Sequence, residues 1–167
     1  MPLALVCICL VRRLTGDERV FDVMMQTMRR NMKQNPKNLV FIVDDDPDDR
    51  QIILDAFLEN NARMDYVFVE NADELASILS SSPETEYPSL ILLDLNMPGM
   101  LGMQALKELK GNPRFNHIPT IILTTSSLSS DRIASYDMGA NCFLSKPASY
   151  TELVSITGAI ARLWFAA

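Results

Sequence analysis

The chain is poor in cysteine and histidine, with three cysteines and one histidine among 167 residues. Cys7, Cys9 and Cys142 form no CxxC pair and no disulfide pattern, which excludes a disulfide scaffold and suits a reducing cytoplasm. The single histidine, His117, lies between Pro113 and Pro119, and we interpret it as a surface loop residue rather than a phosphate carrier.

Long apolar runs are also missing. Residues 3–11 form an apolar run of nine, whereas a membrane-spanning helix needs about 20 such residues. A secretory signal carries positive charge before its apolar run, but here Arg12 and Arg13 follow it. We therefore expect neither a membrane segment nor export, and we predict a cytoplasmic protein.

The charge divides the chain into an N-terminal extension, residues 1–37, and a predicted domain, residues 38–167. The extension holds seven basic and three acidic side chains, against eight and eighteen afterwards. An acidic body argues against nucleic-acid binding, because phosphate contacts supply most nonspecific affinity. Two interpretations of the extension stay open: a dispensable leader, or a helix packed on the domain or on a partner through the apolar face Phe21, Met24, Met25, Met28 and Met32.

From Asn38 onward, short apolar runs alternate with helical patterns. The runs predict strands over 39–43, 66–69, 90–94, 120–124 and 141–145, and the patterns predict helices over 47–60, 72–81, 102–110, 130–137 and 150–165. Five β-α units without a repeat indicate an α/β fold, a doubly wound parallel sheet with helices on both faces. The flavodoxin-like strand order 2-1-3-4-5 is expected, since it creates a switch point between the first and third strands.

Reactive side chains follow the predicted strands directly. The carboxyl ends of parallel strands share one edge of the sheet, so side chains far apart in sequence converge there. This edge collects three carboxylates, a hydroxyl and an ammonium, namely Asp44, Asp45, Asp94, Thr124 and Lys146. Clustered carboxylates repel one another unless a cation intervenes, and oxygen ligands suit Mg²⁺.

The same residues predict phosphoryl transfer. Asp94 is the best nucleophile, because a carboxylate can attack phosphorus and form an acyl phosphate. Mg²⁺ and Lys146 would neutralise the transferring group, Thr124 would donate a hydrogen bond, and the backbone carbonyl of Asn96 would complete the metal shell. The neighbouring acids Asp46, Asp48 and Asp49 are interpreted as ordinary decoration of a helix N-terminus.

Four segments together resemble the receiver domain of bacterial two-component response regulators. They are Val43-Asp44-Asp45-Asp46, Leu92-Leu93-Asp94-Leu95-Asn96-Met97-Pro98-Gly99, Leu123-Thr124 and Ser145-Lys146-Pro147. Their order and spacing are specific, and the resemblance covers residues 38–165. The long loop over 81–88 and the Trp164-Phe165 ending resemble the single-domain, phytochrome-associated subgroup more weakly.

The resemblance implies a function. Asp94 would accept a phosphoryl group from a sensor histidine kinase or phosphotransfer protein, Asp45 would bind Mg²⁺ directly, and Asp44 mainly through water. Thr124 and Lys146 would bind the phosphoryl group, and a cis peptide would join Lys146 to Pro147. Phe143 would be the switch aromatic, reshaping the face of the fourth helix, fifth strand and fifth helix for a downstream protein. A second copy of the chain is a further candidate partner.

Some positions depart from the common pattern. Leu101 replaces the usual aspartate before Gly102, Phe143 lacks the phenol of the frequent tyrosine, and Thr125 stands where a smaller residue is common. Asn96 and Ser126 occupy positions that tune autodephosphorylation in the family. Further along, Trp164 is either a partner anchor or part of the core, and Ile133 and Tyr136 are either half-exposed core or output surface.

Three functions compete as interpretations of this sequence. The first is a stand-alone phosphoacceptor switch, not an enzyme beyond its own phosphorylation and dephosphorylation. Only 21 residues follow Lys146, enough for a last helix, so we expect no DNA-binding output domain in this chain. The second, an aspartate-nucleophile phosphatase, needs an acid two residues after Asp94, where Asn96 stands. The third is a receiver-like scaffold that is not phosphorylated.

Overall fold

The computed structural model describes residues 38–60, 64–97 and 102–165. The predicted extension over 1–37 lies outside these ranges. So do Pro98 and Gly99 of the segment after Asp94, and Leu101, the residue that departs from the family pattern.

Strands and helices alternate strictly along the described chain. The strands are β1 (Leu39–Val43), β2 (Asp65–Val69), β3 (Leu90–Leu93), β4 (Thr120–Thr124) and β5 (Cys142–Ser145). The helices are α1 (Pro47–Glu59), α2 (Ala72–Ser81), α3 (Gly102–Gly111), α4 (Ser129–Asp137) and α5 (Tyr150–Trp164). All four strand pairings are parallel, and the sheet order is β2-β1-β3-β4-β5. The predicted fold class and strand order are confirmed.

The central strands are buried along almost their whole length because helices cover both faces of the sheet. Every residue of β3 and β4 is buried, as is β1 after its first residue. Strand β2 lies at the edge and is only partly buried. Buried strands of this kind fix the register strongly, which sets where the polar residues after each strand stand.

Two apolar clusters occupy opposite faces of the sheet. One joins α1 and α5 to the sheet through residues such as Ile42, Phe57 and Ile160. The other joins α2, α3 and α4 to the opposite side through residues such as Leu75 and Leu106. The order of layers is therefore helix, sheet, helix, and the loops at the carboxyl edge are left open to solvent.

Local signals set the starts of α1 and α5. Asp46 caps α1 by accepting hydrogen bonds from the backbone N–H of Asp48 at 2.8 Å and of Asp49 at 3.4 Å, and Pro47 follows at the first helical position. Ser149 caps α5 by accepting from the backbone N–H of Glu152 at 3.2 Å. These caps hold the first turns of both helices beside the carboxyl edge of the sheet.

Helices α1 and α5 meet through a polar seam. The Asn60 side-chain amide donates to the carbonyl oxygens of Ala56 and Val154, at 2.9 Å each. Gly158 makes room for it, since an added Cβ would lie 2.5 Å from Asn60 Oδ1. Glycine at this position costs about 1 kcal/mol of helix propensity, but only glycine allows the two helices to pack this closely.

The opposite edge of the sheet is held by Lys110 at the end of α3. Its ammonium donates to the carbonyl oxygen of Ile118 at 2.6 Å, to that of Asn116 at 3.3 Å and to Asn141 Oδ1 at 3.4 Å. These acceptors are all uncharged, and burial lowers the pKa of Lys110 to about 8. Asn141 Oδ1 also accepts from the Thr120 N–H, so one network joins α3, β4 and β5.

The loop over 81–88 is more ordered than a polar loop would be. It contains a single 3₁₀ turn, Glu84–Glu86, and its Tyr87 is buried against Phe115 in an edge-on ring contact. The Tyr87 hydroxyl accepts a hydrogen bond from Arg114 Nη2 at 2.8 Å.

None of the helices described is both long enough and apolar enough to span a membrane.

Candidate functional site

Two aspartates end neighbouring strands of the sheet. Asp44 follows β1 and Asp94 follows β3, and the register pairs Val43 with Leu93 immediately before them. Both carboxylates are buried. Each is fixed by a backbone donor two residues further on, the Asp46 N–H to Asp44 Oδ1 and the Asn96 N–H to Asp94 Oδ1, at 3.0 Å in both cases. The free oxygen of each carboxylate is left for a third group.

That third group is the ammonium of Lys146, the residue that directly follows β5. Lys146 Nζ lies 2.7 Å from Asp44 Oδ2 and 2.7 Å from Asp94 Oδ2. It also lies 2.6 Å from Asp49 Oδ2 on α1. Burial disfavours the charged amine, but these three carboxylates outweigh burial and raise the pKa of Lys146 above its ordinary value. Lys146 is therefore a permanent cation at neutral pH.

The two buried carboxylates differ electrostatically although they share one ammonium. Burial raises the pKa of Asp44, more than Lys146 and the Asp46 N–H lower it. Burial also disfavours the charged form of Asp94. There the hydrogen bonds from Lys146, the Asn96 N–H and Thr124 outweigh burial, so the pKa of Asp94 lies below its usual value. The site therefore favours the ionised form of Asp94 more strongly than that of Asp44.

Thr124, at the end of β4, is buried and contacts Asp94 through its side chain. The next two residues, Thr125 and Ser126, connect the β4 loop to its neighbours. The Asn96 side-chain amide donates to Thr125 Oγ1 at 2.6 Å, which joins the loops after β3 and β4. The Ser126 hydroxyl donates to Asp131 Oδ2 at 2.5 Å, which joins the β4 loop to α4. The surroundings of Asp94 are therefore tied to both α4 and the neighbouring loop.

The predicted metal ligands meet only in part. Asp45, the residue after Asp44, is exposed, and the Asn96 N–H contacts Asp94. Within the described ranges no three acidic, histidine or cysteine side chains are arranged so that they could hold a metal ion, and Lys146 lies between Asp44 and Asp94 instead. The donor chemistry nevertheless fits a hard cation, because the three carboxylates of Asp44, Asp49 and Asp94 already surround one ammonium.

Asp49 is the site residue that the sequence interpretation missed. Its assignment to helix decoration was incomplete, because its carboxylate binds Lys146 directly. Asp46 does decorate the helix start, as the cap of α1. A signal for Asp49 existed, since it precedes the buried Ile53 and Phe57 at helical intervals of four residues. An acid on the buried stripe of a helix points inward, unlike its exposed neighbour Asp48.

The sequence of this chain matches known proteins. A family model described as the response regulator receiver domain matches residues 40–157. The chain is 32% identical over 137 residues to response regulator Rcp1 of Synechocystis sp., covering 79% of this chain and 92% of that protein. The chain belongs to the response regulator receiver domain family.

Solved structures of receiver domains have the same fold. The phosphorylated cyanobacterial phytochrome response regulator RcpA superposes with a TM-score of 0.71 at 32% identity, covering 78% of this chain and 95% of that one. The Mn²⁺-bound form of response regulator Rcp1 superposes with a TM-score of 0.68 at 30% identity, covering 76% and 94%. Both neighbours match nearly their whole length to this receiver domain.

One expectation for the receiver domain is wrong. The resemblance implied a cis peptide between Lys146 and Pro147, but the described residues contain only trans peptide bonds. An X–Pro bond prefers trans by only about 0.5–1 kcal/mol, so proline at this position does not by itself dictate the isomer. The Lys146 N–H donates to the Thr124 carbonyl oxygen at 2.7 Å, which holds the lysine backbone at the end of β4.

The structure decides between the two interpretations that the sequence left open for three residues. Trp164 is buried in the α1–α5 cluster, so the packing interpretation is confirmed. Tyr136 is partly buried and its hydroxyl accepts a hydrogen bond from the Phe143 N–H at 3.2 Å, whereas Ile133 is 60% exposed. His117 is exposed, as predicted. Tyr136 therefore belongs to the core and Ile133 to the surface.

Proposed function

We propose that this receiver domain is a stand-alone response regulator that accepts a phosphoryl group on Asp94. The donor is the phosphohistidine of a sensor kinase or of a phosphotransfer protein. The observation that carries the proposal is the contact of 2.7 Å between Lys146 Nζ and Asp94 Oδ2, which places a permanent cation beside an ionised carboxylate at the sheet edge.

The transfer follows from these groups. An Asp94 oxygen forms a bond to phosphorus while the bond from phosphorus to the donor imidazole nitrogen breaks, and the nitrogen keeps the electron pair. Asp94 is ready for this role because its pKa lies below its usual value. Lys146 and Thr124 then donate hydrogen bonds to the phosphoryl oxygens, which is where charge must be neutralised.

The proposed cofactor is Mg²⁺. Asp44, Asp45 and Asp94, with the backbone carbonyl of Asn96, would hold it. When bound, the cation would neutralise charge on the transferring phosphoryl group. Asp44 is suited to share its charge with a cation, because burial already raises its pKa and disfavours an uncompensated carboxylate.

The proposed output is a change in the face formed by α4, β5 and α5. Phe143 is already buried in this structure, with its N–H bonded to the Tyr136 hydroxyl. We place the change in the contacts between the β4 loop and α4, since Thr124 and Ser126 join Asp94 to Asp131 there. A downstream protein would read the altered surface around the exposed Ile133.

We propose a phytochrome-type sensor kinase as the donor and the cytoplasm as the compartment. The support is the similarity to RcpA, whose structure is that of a phytochrome response regulator. A second copy of the chain stays a proposed partner.

Intact-mass spectrometry after incubation with acetyl phosphate and Mg²⁺ tests the proposal. Wild-type protein should gain one phosphate and Asp94→Asn none, because the amide is not a nucleophile. Asp73→Asn, which changes an exposed acid in the first turn of α2, serves as the matched control and should gain one phosphate. An unmodified wild type would favour the alternative, a receiver-like scaffold. Phosphate on Asp94→Asn would move the acceptor to another residue.

A further inference from the structure

The ammonium of Lys146 is saturated by three carboxylates. A lysine has three N–H donors, and the three acceptors Asp44, Asp49 and Asp94 lie 2.6–2.7 Å from Nζ. These acceptors are not equivalent. The side chains of Asp44 and Asp94 are 3% and 5% exposed at strand ends, whereas Asp49 is 39% exposed on the first turn of α1.

The proposed function gives the two buried carboxylates a second task. Asp44 and Asp94 belong to the proposed metal ligands, and Asp94 also becomes the acyl phosphate. Both must then share or lose their contact with Lys146. Asp49 lies outside the ligand set, so its carboxylate stays available to the amine throughout.

We propose that Asp49 is a positioning residue, which holds the Lys146 ammonium in place while Asp44 and Asp94 bind the metal. This inference rests on the proposed function. A lysine side chain has four rotatable bonds, so an ammonium with too few partners samples many positions. A fixed carboxylate keeps the amine at the place where the phosphoryl oxygens arrive, which is how positioning accelerates a transfer.

The backbone under Asp49 is suited to that task. The Asp46 carboxylate caps the first turn of α1 through the N–H groups of Asp48 and Asp49, and Pro47 restricts the chain before them. Ile53 and Phe57, on the same helical stripe, are buried in the core. Asp49 is therefore carried by a rigid helix rather than by a loop.

Asp48 offers a matched control. It is exposed, lies one residue earlier on the same turn, and carries the same charge. Lys146 makes its carboxylate contacts to Asp44, Asp49 and Asp94 and not to Asp48. Asp48→Asn therefore reproduces the change in net charge without removing the contact.

The first experiment uses metal-free protein with a chelator, and it measures urea unfolding in a double-mutant cycle. The variants are Asp49→Asn, Lys146→Met and the pair, with Asp48→Asn replacing Asp49→Asn in the control cycle. The double variant at 49 and 146 should lose less free energy of unfolding than the sum of its two single variants. The double variant at 48 and 146 should lose the sum of its two single variants. Additivity in both cycles would overturn the contact on which the proposal stands.

The second experiment measures the rate of phosphorylation by acetyl phosphate at saturating Mg²⁺. Removing a negative charge near an anionic donor favours the reaction, and Asp48→Asn includes this effect. Asp49→Asn should nevertheless be up to about fivefold slower than Asp48→Asn, the range for a partly exposed ion pair. Asp49→Glu, which keeps the carboxylate, should recover most of the rate.

The outcomes separate the two proposals. A wild type that takes no phosphate overturns the proposed function, and the positioning role with it. A phosphorylated wild type with equal rates for Asp49→Asn and Asp48→Asn overturns the positioning role alone. A faster Asp49→Asn also overturns it, because the contact with Asp49 would then keep Lys146 away from the phosphoryl oxygens.

Discussion

Replacing Lys146 with methionine removes the cation from a site of buried acids, and the consequence can be worked out from the contacts. Asp44 and Asp94 would keep their single backbone donors, and Asp94 would keep Thr124, but both would lose the ammonium at 2.7 Å. Removing one partner of a buried ion pair costs roughly 3–5 kcal/mol. Because other donors remain, we expect about 3 kcal/mol, a large fraction of the stability of a domain.

The pH dependence distinguishes this explanation from a packing defect. In wild type the pKa of Lys146 is raised, so its contribution is complete below the unfolded value of 10.5 and is lost only as pH rises through the folded pKa. Between pH 5 and pH 7 the contribution of Lys146 to the stability of the wild type is therefore constant. In Lys146→Met the two carboxylates take up protons at higher pH than before, so the variant should recover stability as pH falls from about 7 to 5.

Urea denaturation with a chelator at several pH values is the assay, and exposed Lys107→Met is the control. A loss below about 1 kcal/mol, or an equal loss at pH 5 and pH 7, would refute the reasoning. Adding Mg²⁺ should restore part of the loss in Lys146→Met, since a bound cation stabilises the folded state that holds it.

Two further predictions concern the scaffold. An added Cβ at Gly102 would collide with the Asp94 carbonyl oxygen and the Leu95 Cα, whereas one at Gly111 would meet nothing within 4 Å. Thermal unfolding should show Gly102→Ala losing roughly 2–4 kcal/mol and Gly111→Ala losing nothing, and equal effects would contradict the close approach. Burial lowers the pKa of Lys110 to about 8 in the folded protein, against 10.5 in the unfolded chain. Between these two values the unfolded chain binds a proton that the folded protein does not, and this proton favours unfolding. Wild type should therefore gain about 2 kcal/mol from pH 8 to pH 10 relative to Lys110→Met, and parallel urea-derived profiles would show that burial does not lower this pKa.

Sequence patterns predicted the sheet because its strands are short, apolar and followed by polar residues. Strand β3 contains only leucine and isoleucine, so its buried position follows from composition. Strand order then came from topology, and topology brought Lys146 to Asp94 across 52 positions. This part of the site was predictable because it depends on where strands end.

Other features depend on side-chain direction, which runs of letters do not show. Asp46, Asp48 and Asp49 look alike in sequence, yet one caps α1, one faces solvent and one binds Lys146. The buried Tyr87 in the loop before β3 was missed because its neighbours are polar and its partner Arg114 lies 27 positions later. Rotation about a helix axis and contacts between loops decide such cases.

The contacts of Lys146 cross 102, 97 and 52 positions of the chain. A growing or partly unfolded chain in which β5 has not joined β4 holds Asp44 and Asp94 without their counterion. Under the proposed function, Asp94 would therefore become competent for phosphorylation only when the last strand docks. A chain phosphorylated on Asp94 would then be one in which β5 has already paired with β4.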